Sequence, residues 1–198
     1  MSNTNKVKFG IKNVHYAVAT IADDGTATYG TPAALPGAVS MSLEAQGEMT
    51  QEYADDIVYY TSSANSGYQG DLELEIVPEA FLKDILGFKV GGNGILYEDA
   101  GAEPVHFALT FEFSGDKHKK RGVLYNCTAS RPAVASSTVT ATKEVQHESI
   151  TITATSIFND DVDCDIVKGS AVPTDSAYVN WNTAIQQPTA AAQSATTT

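Results

Sequence analysis

The chain reads as a mainly β protein: an antiparallel β-sandwich or barrel with one short flanking α-helix, an extended loop and terminal arms. Three observations point there. Val105, Phe107, Leu109, Phe111 and Phe113 alternate with His106, Ala108, Thr110 and Glu112, the period of two that gives a strand one apolar face. Similar alternation recurs at Val39, Met41, Leu43, at Leu72, Leu74, Ile76, and at Ile150, Ile152, Ala154. Turn-forming pairs such as Asp24-Gly25, Asn93-Gly94 and Gly115-Asp116 separate these runs.

In order, 1–5 is a polar leader. Residues 8–21 form a strand with Val14, Tyr16 and Val18 on one face and His15, Ala17 and Ala19 on the other. A turn at Asp23-Asp24-Gly25 leads to a short return strand at Thr26, Thr28 and Tyr29, and 31–37 is a connector. The strands at 39–44 and 71–76 each carry one acidic face, from Glu44 and from Asp71, Glu73 and Glu75. Between them 46–69 is hydrophilic and too long for a tight turn, a length usual in functional or disordered loops. A helix opens at Pro78, buries Phe81, Leu82 and Ile85, and stops at Gly87. The glycine run 91–94 links it to the strand at 105–113, which returns over 120–128. The last strand spans 147–157. Beyond Asp165 the periodicity fades, although Tyr178 and Trp181 are large enough to need a docking place. The expected organisation is a single domain over 1–172, with an N-terminal arm at 1–7 and the long loop at 46–69. A C-terminal arm or mobile tail follows at 173–198.

A length of 198 residues with 42% hydrophobic and 18% charged residues suits one globular core. The formal charge of −12 argues against a surface that adheres to nucleic acid or anionic membrane. The start, with Lys6, Lys8 and Lys12 but no apolar run, does not read as a secretory signal. Cys127 and Cys164 are both expected to be reduced. Asp161, Asp163 and Asp165 match the opening of a calcium loop, but Ile166 and Val172 stand where such a loop needs Gly and Glu. His15, His106, His118 and His147 share no metal-ligand spacing, and no nucleophile motif surrounds either cysteine. No catalytic residue, cofactor or metal is therefore expected. Lys117, Lys119, Lys120 and Arg121 crowd one hairpin tip. In so acidic a chain they suit acids on a neighbouring subunit better than nucleic acid.

The run YADDIVYYTSSANSGYQGDLELEIVPEAFLKDILG, with Val7-Lys8-Phe9-Gly10 and Val14-His15-Tyr16-Ala17 before it, resembles the phi13-type major tail proteins of long, non-contractile bacteriophage tails. The likeness covers about 5–165 in layout. It implies a structural virion protein whose hexameric rings stack into a tube that conducts DNA from capsid to host. By the same resemblance the inner sheets of six subunits join around the lumen. The loop 46–69 then reaches an adjacent ring, with Glu48, Glu52, Asp55, Asp56, Tyr59 and Tyr60 as its contact residues. In such a ring Glu44, Asp71, Glu73 and Glu75 are the lumen-lining candidates. The implied partners are further copies, the tape measure, tail terminator and distal tail proteins, and DNA passing without specific binding. No membrane partner is implied. The implied locations are the virion tail and, during assembly, the host cytoplasm. Two other readings are a tube protein of a contractile or type VI-like system and a non-catalytic adhesin-like binding module.

Overall fold

The computed structural model describes residues 10–47, 49–54, 56–116, 118–134 and 145–190. The arm at 1–7, Glu48, Asp55 and Lys117 fall outside them. The strands are β1 (Ile11–Ile21), β2 (Ala27–Tyr29), β3 (Ala33–Ala34), β4 (Ala38–Gln46), β5 (Met49–Ala54), β6 (Ile57–Ser63) and β7 (Gly67–Leu74). After helix α1 (Glu79–Asp84) come β8 (Lys89–Val90), β9 (Leu96–Tyr97), β10 (Phe107–Phe113), β11 (Arg121–Ala129) and β12 (Glu148–Thr155). The last are β13 (Ile157–Asn159), β14 (Cys164–Ile166) and β15 (Lys168–Ala171).

One antiparallel sheet carries the architecture, in the order β2-β1-β10-β11-β12-β7-β4, with β3 added to β1 and β15 to β11. It curls so that β4 comes back into contact with β1. The inward faces then enclose a single main core of Val14, Tyr16, Leu72, Leu74, Phe107, Leu109, Ile150 and Ile152. This is the sandwich-like, mainly β fold the alternation predicts. Helix α1 seals it. Phe81 is fully buried, with its ring edge-on to both Tyr16 (centroids 5.0 Å) and Phe107 (5.5 Å). Pro78 is the N-cap rather than the first helical residue, one position off the expectation. Gly87 takes the left-handed φ of +71° that ends the helix.

Strand β11 forks. Arg121 to Leu124 pair with β15 on one side and β10 on the other, whereas Asn126 to Ala129 pair with β12. The fork is made by a bulge: Phe107 faces Cys127 but Leu109 faces Leu124, so β11 holds one extra residue there. Buried Asn126 fills the gap, hydrogen-bonding the His106 ring and donating to Thr155 Oγ1.

Three expectations need correction. The face of β10 read as polar is not solvated: Ala108, Thr110 and Glu112 are buried, whereas Phe111 and Phe113 on the supposed core face are only half-buried. The reason is a second apolar cluster on the far side of the sheet, where Val123, Tyr125, Ile157 and Ala171 pack with Trp181. Chain from the expected loose tail supplies that cover. Through Gln187 the tail is docked: the Tyr125 hydroxyl donates to the Gln186 carbonyl, and Gln187 bonds Asn159 and the Ala27 carbonyl. Burial pushes the Tyr125 phenol up to about 12. Finally, the loop 46–69 is mostly not loop. β4 and β7 pair as far as Gln46 and Gly67, and a further hairpin, β5 with β6, turns at Asp56 (φ +61°).

Candidate functional site

The register of β4, β7 and β12 places the acidic residues. Across these strands the outward rows are Ser40–Glu73–Ser149, Ser42–Asp71–Thr151 and Glu44–Gln69–Thr153. The result is a three-by-three block of hydroxyl, amide and carboxylate groups without a lysine or arginine. Within it Ser40 donates to Glu73 at 2.6 Å and Thr151 donates to Asp71 at 2.8 Å. Those bonds hold two of the three carboxylates in fixed positions on a rigid sheet. Glu44, Asp71 and Glu73 thus share one face. Glu75 lies just past the end of β7, where its carboxylate stands 3.7 Å from His147 Nδ1. The inward residues of the same strands, Leu72, Leu74, Ile150 and Ile152, are fully buried. One strand triplet therefore anchors the core and displays the polar block. At its margin β4 pairs only with β7 among the described residues, leaving a nine-residue edge with unused backbone groups.

Hairpin β5–β6 continues the β4–β7 ribbon. Ile57, Tyr59 and Tyr60 on it are exposed, Tyr59 by 79%, and Asp56 sits at its turn. Among the described residues nothing covers these large side chains. The sequence signal for a hairpin is present in retrospect: the acid pair Asp55-Asp56 precedes the β-favouring run Ile57-Val58-Tyr59-Tyr60.

The basic turn divides. Lys119 and Lys120 are exposed, and the turn is shaped by Asp116, whose carboxylate accepts the backbone N–H groups of His118 and Lys120. Arg121 is engaged within its own subunit. It bonds buried Glu112, donates to the Tyr178 carbonyl at 2.7 Å and stacks on the Tyr178 ring at 3.9 Å. Glu112 also accepts from Asn13. Arg121 is thus an internal tie for the C-terminal segment. The residues missed by sequence reasoning are the neutral members of the block. Their position depends on cross-strand register, which alternation along one strand does not reveal.

Among the described residues no group of His, Cys, Asp and Glu could hold a metal ion, and Cys127 and Cys164 are unpaired. A family model described as phage tail tube protein matches residues 1–163. The chain belongs to that family. The match carries the tail tube family and not the phi13-type subgroup within it. No curated protein matches the chain. Membership makes this a structural protein of the phage virion tail that assembles with itself and with other tail proteins. The family model ends before β15, so the strand that completes the β11 fork and the docked segment after it lie beyond the matched region.

Proposed function

We propose that this tail tube protein forms hexameric rings that stack into the tube, with the β4–β7–β12 block lining a channel for DNA. The block itself carries this reading: Glu44, Asp71 and Glu73 share one face with no Lys or Arg among its nine residues, next to a strand edge unpaired among the described residues. Edge strands need partners, and pairing β4 with the next subunit extends the sheet around a ring. Duplex DNA carries about one negative charge per 1.7 Å, so a basic lining would hold it at many points. Fixed carboxylates repel phosphates instead, over a screening distance of about 8 Å at physiological salt. Conduction on this account is passive and uses no catalytic group. Assembly takes place in the host cytoplasm, and the tape measure, terminator and distal tail proteins meet the tube at its lumen and ends. The hairpin β5–β6 contacts a neighbouring copy.

Electron microscopy of the purified protein tests the assembly, with rings or tubes expected. Replacing 47–66 by a short Gly-Ser turn is expected to leave a folded domain without tubes. For the lining, Asp71→Lys with Glu73→Lys is expected to permit tubes but slow DNA ejection, most at low salt. Unchanged ejection from phage whose tails contain the double variant places the acids outside the lumen.

A further inference from the structure

The sandwich is left open at one end by a groove of about 490 Å³ that the core does not fill. Its apolar lining comes from Met41 and Leu43 of β4, Tyr68 of β7, Phe111 and Phe113 of β10 and Leu124 of β11. Every one of these except buried Leu124 is half-buried, so a sizeable apolar surface faces water. Phe111 and Phe113 meet edge-on, with ring centroids 5.6 Å apart. The floor is specified by Gly122, where a Cβ would come within 2.6 Å of the Phe111 ring. Lys120 and Lys168 flank the opening. Neither forms an ion pair among the described residues, although the chain holds 24 acids against 12 Lys and Arg. Lys168 is instead poised over the Tyr68 ring at 4.3 Å.

We infer that this groove receives the β5–β6 hairpin of a second copy, an inference that rests on the tube reading above. The two surfaces match in both respects that matter. Ile57, Tyr59 and Tyr60 are exposed apolar groups with no seat among the described residues of their own subunit, and the groove offers an apolar seat. The stretch 47–66 contains Glu48, Glu52, Asp55 and Asp56 and no Lys or Arg, and so complements Lys120 and Lys168. The other segments that could compete have the wrong chemistry. Residues 1–9 carry Lys6 and Lys8, 135–144 offer a single large apolar residue, Val139, with Lys143 offset by Glu144, and 191–198 hold neither a charged nor a large apolar side chain. The hairpin and the groove are different patches, so the contact is heterologous and can repeat from copy to copy. Leu43 and Tyr68 lie beside Gln46 and Gly67, the root from which the hairpin departs. Groove and hairpin root are therefore at the same level in every copy, which favours docking between side-by-side neighbours.

Charge reversal tests this without touching either core. Lys120→Glu with Lys168→Glu is expected to lower the assembled fraction about tenfold in sedimentation, as is Glu52→Lys with Asp56→Lys. Combining all four changes is expected to restore assembly to within about threefold of the parent protein. Cross-linking fixes the partners in a Cys164→Ser background: copies carrying Tyr60→Cys, mixed with copies carrying Ser170→Cys, are expected to give a disulfide-linked dimer. If the groove variant assembles normally while hairpin replacement abolishes tubes, the groove assignment fails and the tube reading stands. It also fails if Val7→Cys cross-links to Ser170→Cys in place of Tyr60→Cys, or if the link closes only within one chain. A parent protein that forms neither rings nor tubes overturns both.

Discussion

Phe107→Ala tests whether α1 and the two halves of the curled sheet are one cooperative unit. The Phe107 side chain is fully buried, and its ring meets Phe81, which meets Tyr16. β10, α1 and β1 are thereby joined through three rings. Removing a buried phenylalanine ring costs about 3–5 kcal/mol, of which roughly 0.5–1.5 kcal/mol reflects the aromatic pair itself. Against a total domain stability of about 5–15 kcal/mol that is a large share. With a urea m-value of about 2 kcal/mol/M, the midpoint should fall by about 1.5–2.5 M. Two probes follow the transition: far-UV circular dichroism for the sheet, and fluorescence of Trp181, the single tryptophan, for the second cluster. Both should shift together, because β11 contributes Leu124 to one cluster and Val123 to the other. Exposed Thr28→Ala serves as the control and should move the midpoint by less than about 0.3 M. A shift that small for Phe107→Ala, or a Trp181 transition left in place while the sheet melts, refutes the reasoning.

Arg121→Met leaves Glu112 buried without its guanidinium and removes the stacking on Tyr178. A loss of about 3 kcal/mol is expected, together with faster limited proteolysis within 173–190, read by mass spectrometry. Alkaline stability follows from the phenols. Tyr125, Tyr16 and Tyr29 all have folded pKa values raised above the unfolded value, first by burial. Their contribution is therefore complete below about pH 10, and that of Tyr125 is lost as pH rises through about 12, with Tyr16 and Tyr29 following at higher pH. Phenolate absorbance should lag behind that of a denatured control until the fold opens, whereas release of all nine tyrosines at the denatured control's pH would contradict their burial.

How much could be read from the sequence depended on whether one face of a strand meets water. In β7 and β12 one face does, so Leu72 and Leu74 against Asp71 and Glu73, or Ile150 and Ile152 against Thr151 and Thr153, declare their direction. Strands β1 and β10 are covered on both sides, and small residues such as Ala17, Ala108 and Thr110 fill positions that alternation reads as solvated. The covering segment has no periodicity of its own; only Tyr178 and Trp181 hinted that it docks. Hydrophilicity concealed the β5–β6 hairpin, because Ile57, Tyr59 and Tyr60 are set among Ser, Thr, Gln and acidic residues. For the candidate site, the acids Glu44, Asp71 and Glu73 were legible, while the groove was not. It is assembled from β4, β7, β10, β11 and β15, and no single stretch contains its shape.

The fork in β11 also governs the order in which the chain can fold. β1 must wait for β10, and the first half of β11 gains its second neighbour only when Lys168–Ala171 arrives. Closure is dominated by distant pairings, the regime in which β proteins fold over milliseconds to seconds rather than microseconds. During synthesis β4 and β7 can zip locally, but the sheet that holds them stays open until β12 is made. A nascent subunit thus presents a sticky strand before it has a finished body, and the arrival of β12 sets when that interval ends.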